Sequence, residues 1–169
     1  ALNEAGFSAD DVTDVILTHL HFDHCGGSTR RTGSGVEPMF RNAMHYVQKR
    51  HWDWAWTPNE REAGSFFREN YGPLRDAGLV RFVDGVEQIL PGISVMPVDG
   101  HTEAQQLVGV ASAEATLLFL ADLVPTHAHV PLVWGMGYDL RPLTTIDEKR
   151  DILGEAADGK WTVFFEHDD

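Results

Sequence analysis

Three imidazoles and one carboxylate fall within six residues of the stretch Thr18-His-Leu-His-Phe-Asp-His-Cys-Gly-Gly27: His19, His21, Asp23 and His24. Neutral imidazole nitrogen and carboxylate oxygen are the donors that a borderline divalent ion such as zinc takes. The apolar, β-branched run Val15-Ile16-Leu17-Thr18 leads into them, and Gly26-Gly27 lets the chain turn away. On an extended segment, side chains two apart share a face, so His19 and His21 converge on one ion. Asp23 and His24 come after the strand has ended, where a turn swings them toward a second ion. A solvated His-rich loop, or an adventitious metal clamp, is the bland alternative. It needs neither the strand before nor the double glycine after.

Three more donors each stand behind an apolar run. His101 follows Ile93–Val98 and the turn Asp99-Gly100, Asp122 closes Thr116–Ala121, and His167 closes Val163-Phe-Phe-Glu166. Loops beyond strand ends are where layered folds place their sites. Taken singly, each is as easily a turn histidine or a strand-end aspartate.

The elements that must hold these residues are legible in outline. Ser8-Ala-Asp-Asp11 reads as a capping box opening a short helical turn, and Asp14–Thr18 as a buried strand. Residues 28–35 read as a polar loop, with strands over Val36–Phe40 and Met44–Gln48. Thr57-Pro58-Asn59-Glu60 is a helix-start signal, predicting a helix through about Asn70. Leu79–Val83, Glu87–Leu90 and Ile93–Val98 read as strands divided by Asp84-Gly85 and Pro91-Gly92 turns. Gln106–Val110 and Thr116–Ala121 form a hairpin-like pair, Ile146–Ala157 a helix, and Trp161–Phe165 a last strand. The class is mixed α and β. Trp52, Trp54 and Trp56 pack the predicted helix onto the core, or else form an apolar wall over the site or a self-association patch. Phe66, Phe67 and Trp134 fit either reading.

With 169 residues, 43% hydrophobic and 10% aromatic, the chain suits one globular domain with ample core. Its net charge of -13, from 26 acidic and 13 basic residues, repels phosphodiester backbones and disfavours a nucleic-acid partner. No apolar run approaches the ~20 residues that span a bilayer. The single Cys25 rules out an internal disulfide and fits a reducing, cytoplasmic compartment. Cys25 itself reads as a small buried residue and His45 and His51 as surface histidines, while Asp139 and Arg141 receive no role.

The histidine-rich run is similar to the H-x-H-x-D-H signature of the metallo-β-lactamase superfamily of dinuclear metallohydrolases, including the Thr before it and the Gly-Gly after it. The resemblance extends from about Gly6 to Asp168. Asp122-Leu-Val-Pro-Thr126, Gly137-Tyr-Asp-Leu140, Pro142-Leu-Thr-Thr145 and Phe164-Phe-Glu-His-Asp168 resemble the lactonase-like and organophosphate-hydrolase-like branch. The resemblance implies an α+β fold, the four-layer αβ/βα sandwich, whose first strands precede this motif. The 169 residues then read as a single such domain, truncated at the N-terminus and at the C-terminus.

The resemblance also implies the division of labour. His19, His21 and His101 would hold a first metal ion and Asp23, His24 and His167 a second. Asp122 would bridge them together with a hydroxide. Two divalent ions, zinc foremost, are therefore expected. The hydroxide would attack a small ester-like substrate, first a lactone of the acyl-homoserine type (quorum quenching), second an organophosphate triester, third a thioester. Asp23 or a nearby histidine would protonate the leaving group. An iron-binding oxidoreductase, or a metal-binding fragment without activity, are the readings from other classes. A small-molecule substrate is the expected partner, with a homodimer as a further expectation and no nucleic acid or membrane.

Three positions depart from the family pattern. Ala121 stands where Gly is commoner, Asp99 where Pro is common, and Pro125 where acyl-homoserine lactonases carry a catalytic tyrosine. His127, His129 or Tyr138 would take that tyrosine's place, unless they are structural. Metallo-β-lactamases proper use a cysteine ligand where this chain offers Asp122, which disfavours antibiotic hydrolysis.

Overall fold

The computed structural model describes residues 2–168, which divide between Val83 and Asp84 into two compact units. In the first, β1 (Asp14–Ile16), β4 (Met44–Gln48) and β5 (Val80–Val83) form a parallel sheet in the order β1-β4-β5. The predicted capping box is present: the Ser8 N–H and hydroxyl both donate to Asp11 Oδ2, at 2.8 and 2.7 Å. Residues 28–35 are not a loop. They contribute β2 (Thr29–Thr32), which pairs antiparallel with β3 (Gly35–Pro38). The Thr-Arg-Arg-Thr strand has no apolar alternation, because its outer pair is half-buried and its inner pair exposed.

The helix predicted over 57–70 is absent, and one lies upstream instead. α2 (Lys49–Trp56) follows the single turn α1 (Phe22–Cys25) and precedes the short α3 (Gly72–Asp76). Trp52 and Trp56, four apart, share one face of α2. Trp52 is 2% exposed, with its ring 5.5 Å from Tyr71. Pro58 disfavours the helical region for the residue before it, and Thr57 accordingly leaves the helix at φ -137°, ψ 54°. Asn59 then closes a tight turn, its Oδ1 accepting from the N–H groups of Arg61 (3.0 Å) and Glu62 (3.1 Å). The helix-start residues thus build a turn. Leu17, Leu20, Cys25, Val47, Trp52, Phe66, Tyr71 and Leu74 form this unit's core.

The second unit is a five-stranded sheet in the order β10-β9-β8-β7-β6, from β6 (Glu87–Leu90), β7 (Ile93–Val98), β8 (Gln105–Ala111), β9 (Thr116–Phe119) and β10 (Thr162–Phe164). All pairings are antiparallel except β9 with β10. α4 (Pro142–Asp158) starts with proline in its first turn and packs Ile152 on Val98, Leu107, Leu118 and Leu120. The register matters for function. Val98 faces Gln105, Val108 faces Phe119 and Phe119 faces Phe164, so β7, β9 and β10 all end at one edge of the sheet. The turns bearing His101, Asp122 and His167 leave from that edge. Among the described residues no helix is long and apolar enough to cross a membrane.

Candidate functional site

In the first unit the motif leaves β1 extended, and its imidazoles converge. The His19 ring lies 4.6 Å from His21, edge-on at 83°, and 3.9 Å from His24. His19 and His21 are buried. Leu20 points the other way into the core; its N–H donates to His51 Nε2 (2.8 Å) and its carbonyl accepts from the Cys25 thiol (3.3 Å). His21 is the N-cap of α1, and that single turn brings Asp23 Oδ2 to 3.3 Å from His24 Nε2. Asp23 is 44% exposed at the side chain, whereas His24 is sealed at 2%. Phe22, between two donors, is exposed and stacks on exposed Phe67 (centroids 5.3 Å, planes 21° apart).

His45 and His51 are not surface residues; both are fully buried. His51 holds the motif's backbone through Leu20, while the ring of His45 donates from Nδ1 to the Leu79 carbonyl (3.2 Å). Burial pushes the His45 imidazole below its ordinary value.

The second unit assembles the other three donors around one carboxylate. Asp122, 5% exposed, has Oδ2 at 3.3 Å from His101 Nε2 and Oδ1 at 3.1 Å from His167 Nε2. A carboxylate offering each oxygen to a different imidazole has the form of a bridge between two cations. His101 Nδ1 lies 3.1 Å from Oδ1 of buried Asp139, which fixes Nε2 as the nitrogen facing Asp122. Asp139 had no role in the sequence; here it orients the His101 ring.

Much of α4 serves the His101 turn. Glu148 accepts from the N–H groups of Asp99 (2.6 Å) and Gly100 (3.0 Å), Arg141 Nη1 donates to the Asp99 carbonyl (2.7 Å), and Leu140 N–H to that of His101 (3.1 Å). Burial raises the Glu148 carboxyl, and those two N–H groups oppose the rise. A methyl group at Gly100 would lie 2.3 Å from Thr145 Oγ1 and 2.6 Å from its nitrogen, so the turn passes the helix only as glycine. Lys149 is fully buried, its ammonium donating to the carbonyls of His129 (2.5 Å), Pro131 (2.9 Å) and Trp134 (2.9 Å). The loop so gathered continues to Met136, whose N–H reaches Asp139 Oδ2 (3.2 Å).

The donor chemistry of both sets suits divalent cations: His19, His21 and His101 are buried imidazoles with one nitrogen engaged elsewhere, and carboxylates stand beside His24 and His101. The family model of the metallo-beta-lactamase superfamily matches residues 1–167. The chain belongs to this superfamily. It is similar to an N-acyl homoserine lactonase of Bacillus thuringiensis, 25% identical over 177 residues, covering 99% of this chain and 60% of that protein. The lactonase AttM of Agrobacterium fabrum is 35% identical over 66 residues, 39% of this chain and 22% of AttM. The fold matches that of a probable metal-dependent hydrolase from Staphylococcus aureus at TM-score 0.91, with 27% identity, over 99% of this chain and 58% of the other. AidC, a dizinc quorum-quenching lactonase solved with a product, follows at TM-score 0.84 and 23% identity, over 99% and 61%. The chain thus spans about 60% of the length of the curated lactonase it matches end to end.

Within the superfamily pattern, this member's departures have local reasons. Ala121 sits at φ 45°, the left-handed region, which is why glycine is commoner there. Asp99, in the usual proline position, accepts at Oδ1 from the Ala104 N–H (2.8 Å) and closes the His101 turn. Pro125, in the place of the lactonase tyrosine, is buried and accepts at its carbonyl from the His167 N–H (2.9 Å). His127 is exposed, its Nδ1 2.6 Å from Asp168 Oδ2, and that contact with the His127 N–H holds the Asp168 carboxyl below its usual range. His129 places Nδ1 2.8 Å from Thr126 Oγ1, and Tyr138 is 80% exposed.

Cys25 adjoins the motif but is sealed. It is fully buried, and burial pushes its thiol up to about 12. In the folded chain it should resist disulfide reagents at pH 8, reacting only as fast as the protein opens. Stoichiometric labelling within seconds, before any change in circular dichroism, would contradict that burial.

Proposed function

We propose that this chain carries the metal centre of a dinuclear hydrolase acting on small, apolar-substituted lactones, with acyl-homoserine lactones as the first class. The observation that carries the reading is Asp122, with one oxygen toward His101 and the other toward His167. In this reading His19, His21 and His101 would hold one divalent ion, Asp23, His24 and His167 would hold the other, and Asp122 would serve both. Zinc suits the nitrogen-rich donor set. Ions bound there supply a water ionised near neutral pH and an electrophile for the carbonyl oxygen.

The chain's own groups do the rest. Asp139 and Glu148 hold the His101 turn in place. Asp23, half-exposed beside His24, is placed to relay to the departing alkoxide the proton that the attacking water loses. His127 is a second proton carrier, since Asp168 engages Nδ1 and leaves Nε2 outward. The stacked, exposed Phe22 and Phe67 offer an apolar acyl chain a surface directly beside the donors. The similarity to acyl-homoserine lactonases supports the substrate class.

Elemental analysis of the dialysed chain, followed by pH-stat assay of N-hexanoyl-homoserine lactone and an aryl phosphotriester, tests this reading. About two zinc ions per chain and lactone opening abolished by chelator and restored by zinc are expected. Stoichiometric zinc with triester turnover alone would move the substrate class. Coloured, iron-loaded protein without hydrolysis would overturn the hydrolase.

A further inference from the structure

His21 donates from Nε2–H to Glu62 Oε1 at 3.0 Å, 41 residues away in sequence. Glu62 is 4% exposed, and its other oxygen accepts from the Trp54 indole N–H at 2.7 Å. The Asn59 turn fixes the backbone of Glu62, and Phe66 packs 4.9 Å from the His21 ring. An ionised carboxylate only accepts hydrogen bonds, so the proton of a neutral His21 must sit on Nε2. The lone pair is then on Nδ1. His101 is held in the opposite sense, with Nδ1 on Asp139 and Nε2 turned inward.

We propose that Glu62, braced by Trp54, is a positioning residue that sets His21 as an Nδ1 donor and fixes its ring for metal capture. The 57–62 turn and the middle tryptophan of α2 then belong to the metal centre. The inference rests on the reading of His21 as a ligand. It predicts a distinctive behaviour of substitutions, because Glu62 serves two N–H donors with two oxygens. In Glu62→Gln a single carbonyl oxygen must choose between them. If it takes Trp54, the amide NH2 meets His21 and favours the wrong tautomer.

The test uses the full chain, with zinc affinity measured against a chromophoric chelator and long-range 1H–15N spectra of metal-free protein reading which nitrogen of His21 is protonated. Glu62→Ala should weaken zinc binding by about 10–100-fold and leave His21 a mixture of tautomers. Glu62→Gln should lose as much. Trp54→Phe alone should cost roughly fivefold or less. The double variant Trp54→Phe/Glu62→Gln should bind more tightly than Glu62→Gln, since the amide oxygen is freed for His21. A merely structural carboxylate would show the reverse, with the double variant worse than either single one.

Parental affinity and an unchanged Nε2–H tautomer in Glu62→Ala would overturn the proposal. If Glu62→Ala fails to fold, the comparison of Glu62→Gln with the double variant decides it. If the parental chain binds no zinc, the reading of His21 as a ligand fails. The metal-free spectra then still show whether Glu62 sets the His21 tautomer.

Discussion

Asp122→Ala is expected to lose metal and rate together: occupancy falling from about two ions toward one, and kcat/KM dropping beyond the ~100-fold that loss of an outer partner costs. The reason is geometric. Asp122 places Oδ2 3.3 Å from His101 Nε2 and Oδ1 3.1 Å from His167 Nε2. In the proposed dinuclear centre its removal would leave two cations with no shared anion between them, and their mutual repulsion would oppose double loading. The fold should tolerate the change, because alanine has the same backbone path and takes a buried carboxylate out of a low-dielectric site. The metal-free variant should therefore melt within a few degrees of the metal-free parent. Asp122→Asn separates charge from shape by keeping one accepting oxygen, and should fall between the two. Full occupancy with full rate in Asp122→Ala would remove the bridge from the mechanism.

Lys149→Met should lower the melting temperature by roughly 6–12 °C, corresponding to about 3 kcal/mol at 2–4 °C per kcal/mol. Methionine fills the space, but nothing replaces the ammonium that gathers the carbonyls of His129, Pro131 and Trp134. Those oxygens lie around a fully buried side chain and lose their donor. Burial pushes the Lys149 ammonium below its ordinary 10.5, and the Asp139 charge pulls it partly back. A lowered folded value means the unfolded chain holds the proton to higher pH, so stability from this group rises with pH between the two values. The parent should thus gain stability relative to Lys149→Met as pH approaches 10.5 from below. Melting within a degree of the parent, with no difference in pH slope, would show the cage to be energetically idle.

What could be read in advance followed from local density. His19, His21, Asp23 and His24 crowd one turn between a strand and two glycines, and the fold keeps them side by side. His101, Asp122 and His167 were accessible through their place after apolar runs, which the register brings to one sheet edge. Their partners were not. Glu62 and Asp139 reach their histidines across 41 and 38 residues, and nothing adjacent sets them apart from the other carboxylates of a 26-acid chain. The 57–70 helix failed because Pro58 ends one helix as readily as it begins another. The β2 strand was hidden because its pairing lies in backbone hydrogen bonds and not in apolar alternation. Burial of His45 and His51 was equally silent, since polarity alone points a histidine outward.

The tight passage of Gly100 against Thr145 makes the His101 turn and α4 one cooperative unit. The turn's two N–H groups need Glu148, and its path is shaped by the flank of α4. Whatever loosens the helix would loosen the turn with it. By the same linkage, an ion held through His101 would also hold α4 in place, so that the proposed ligand would report on the helix behind it.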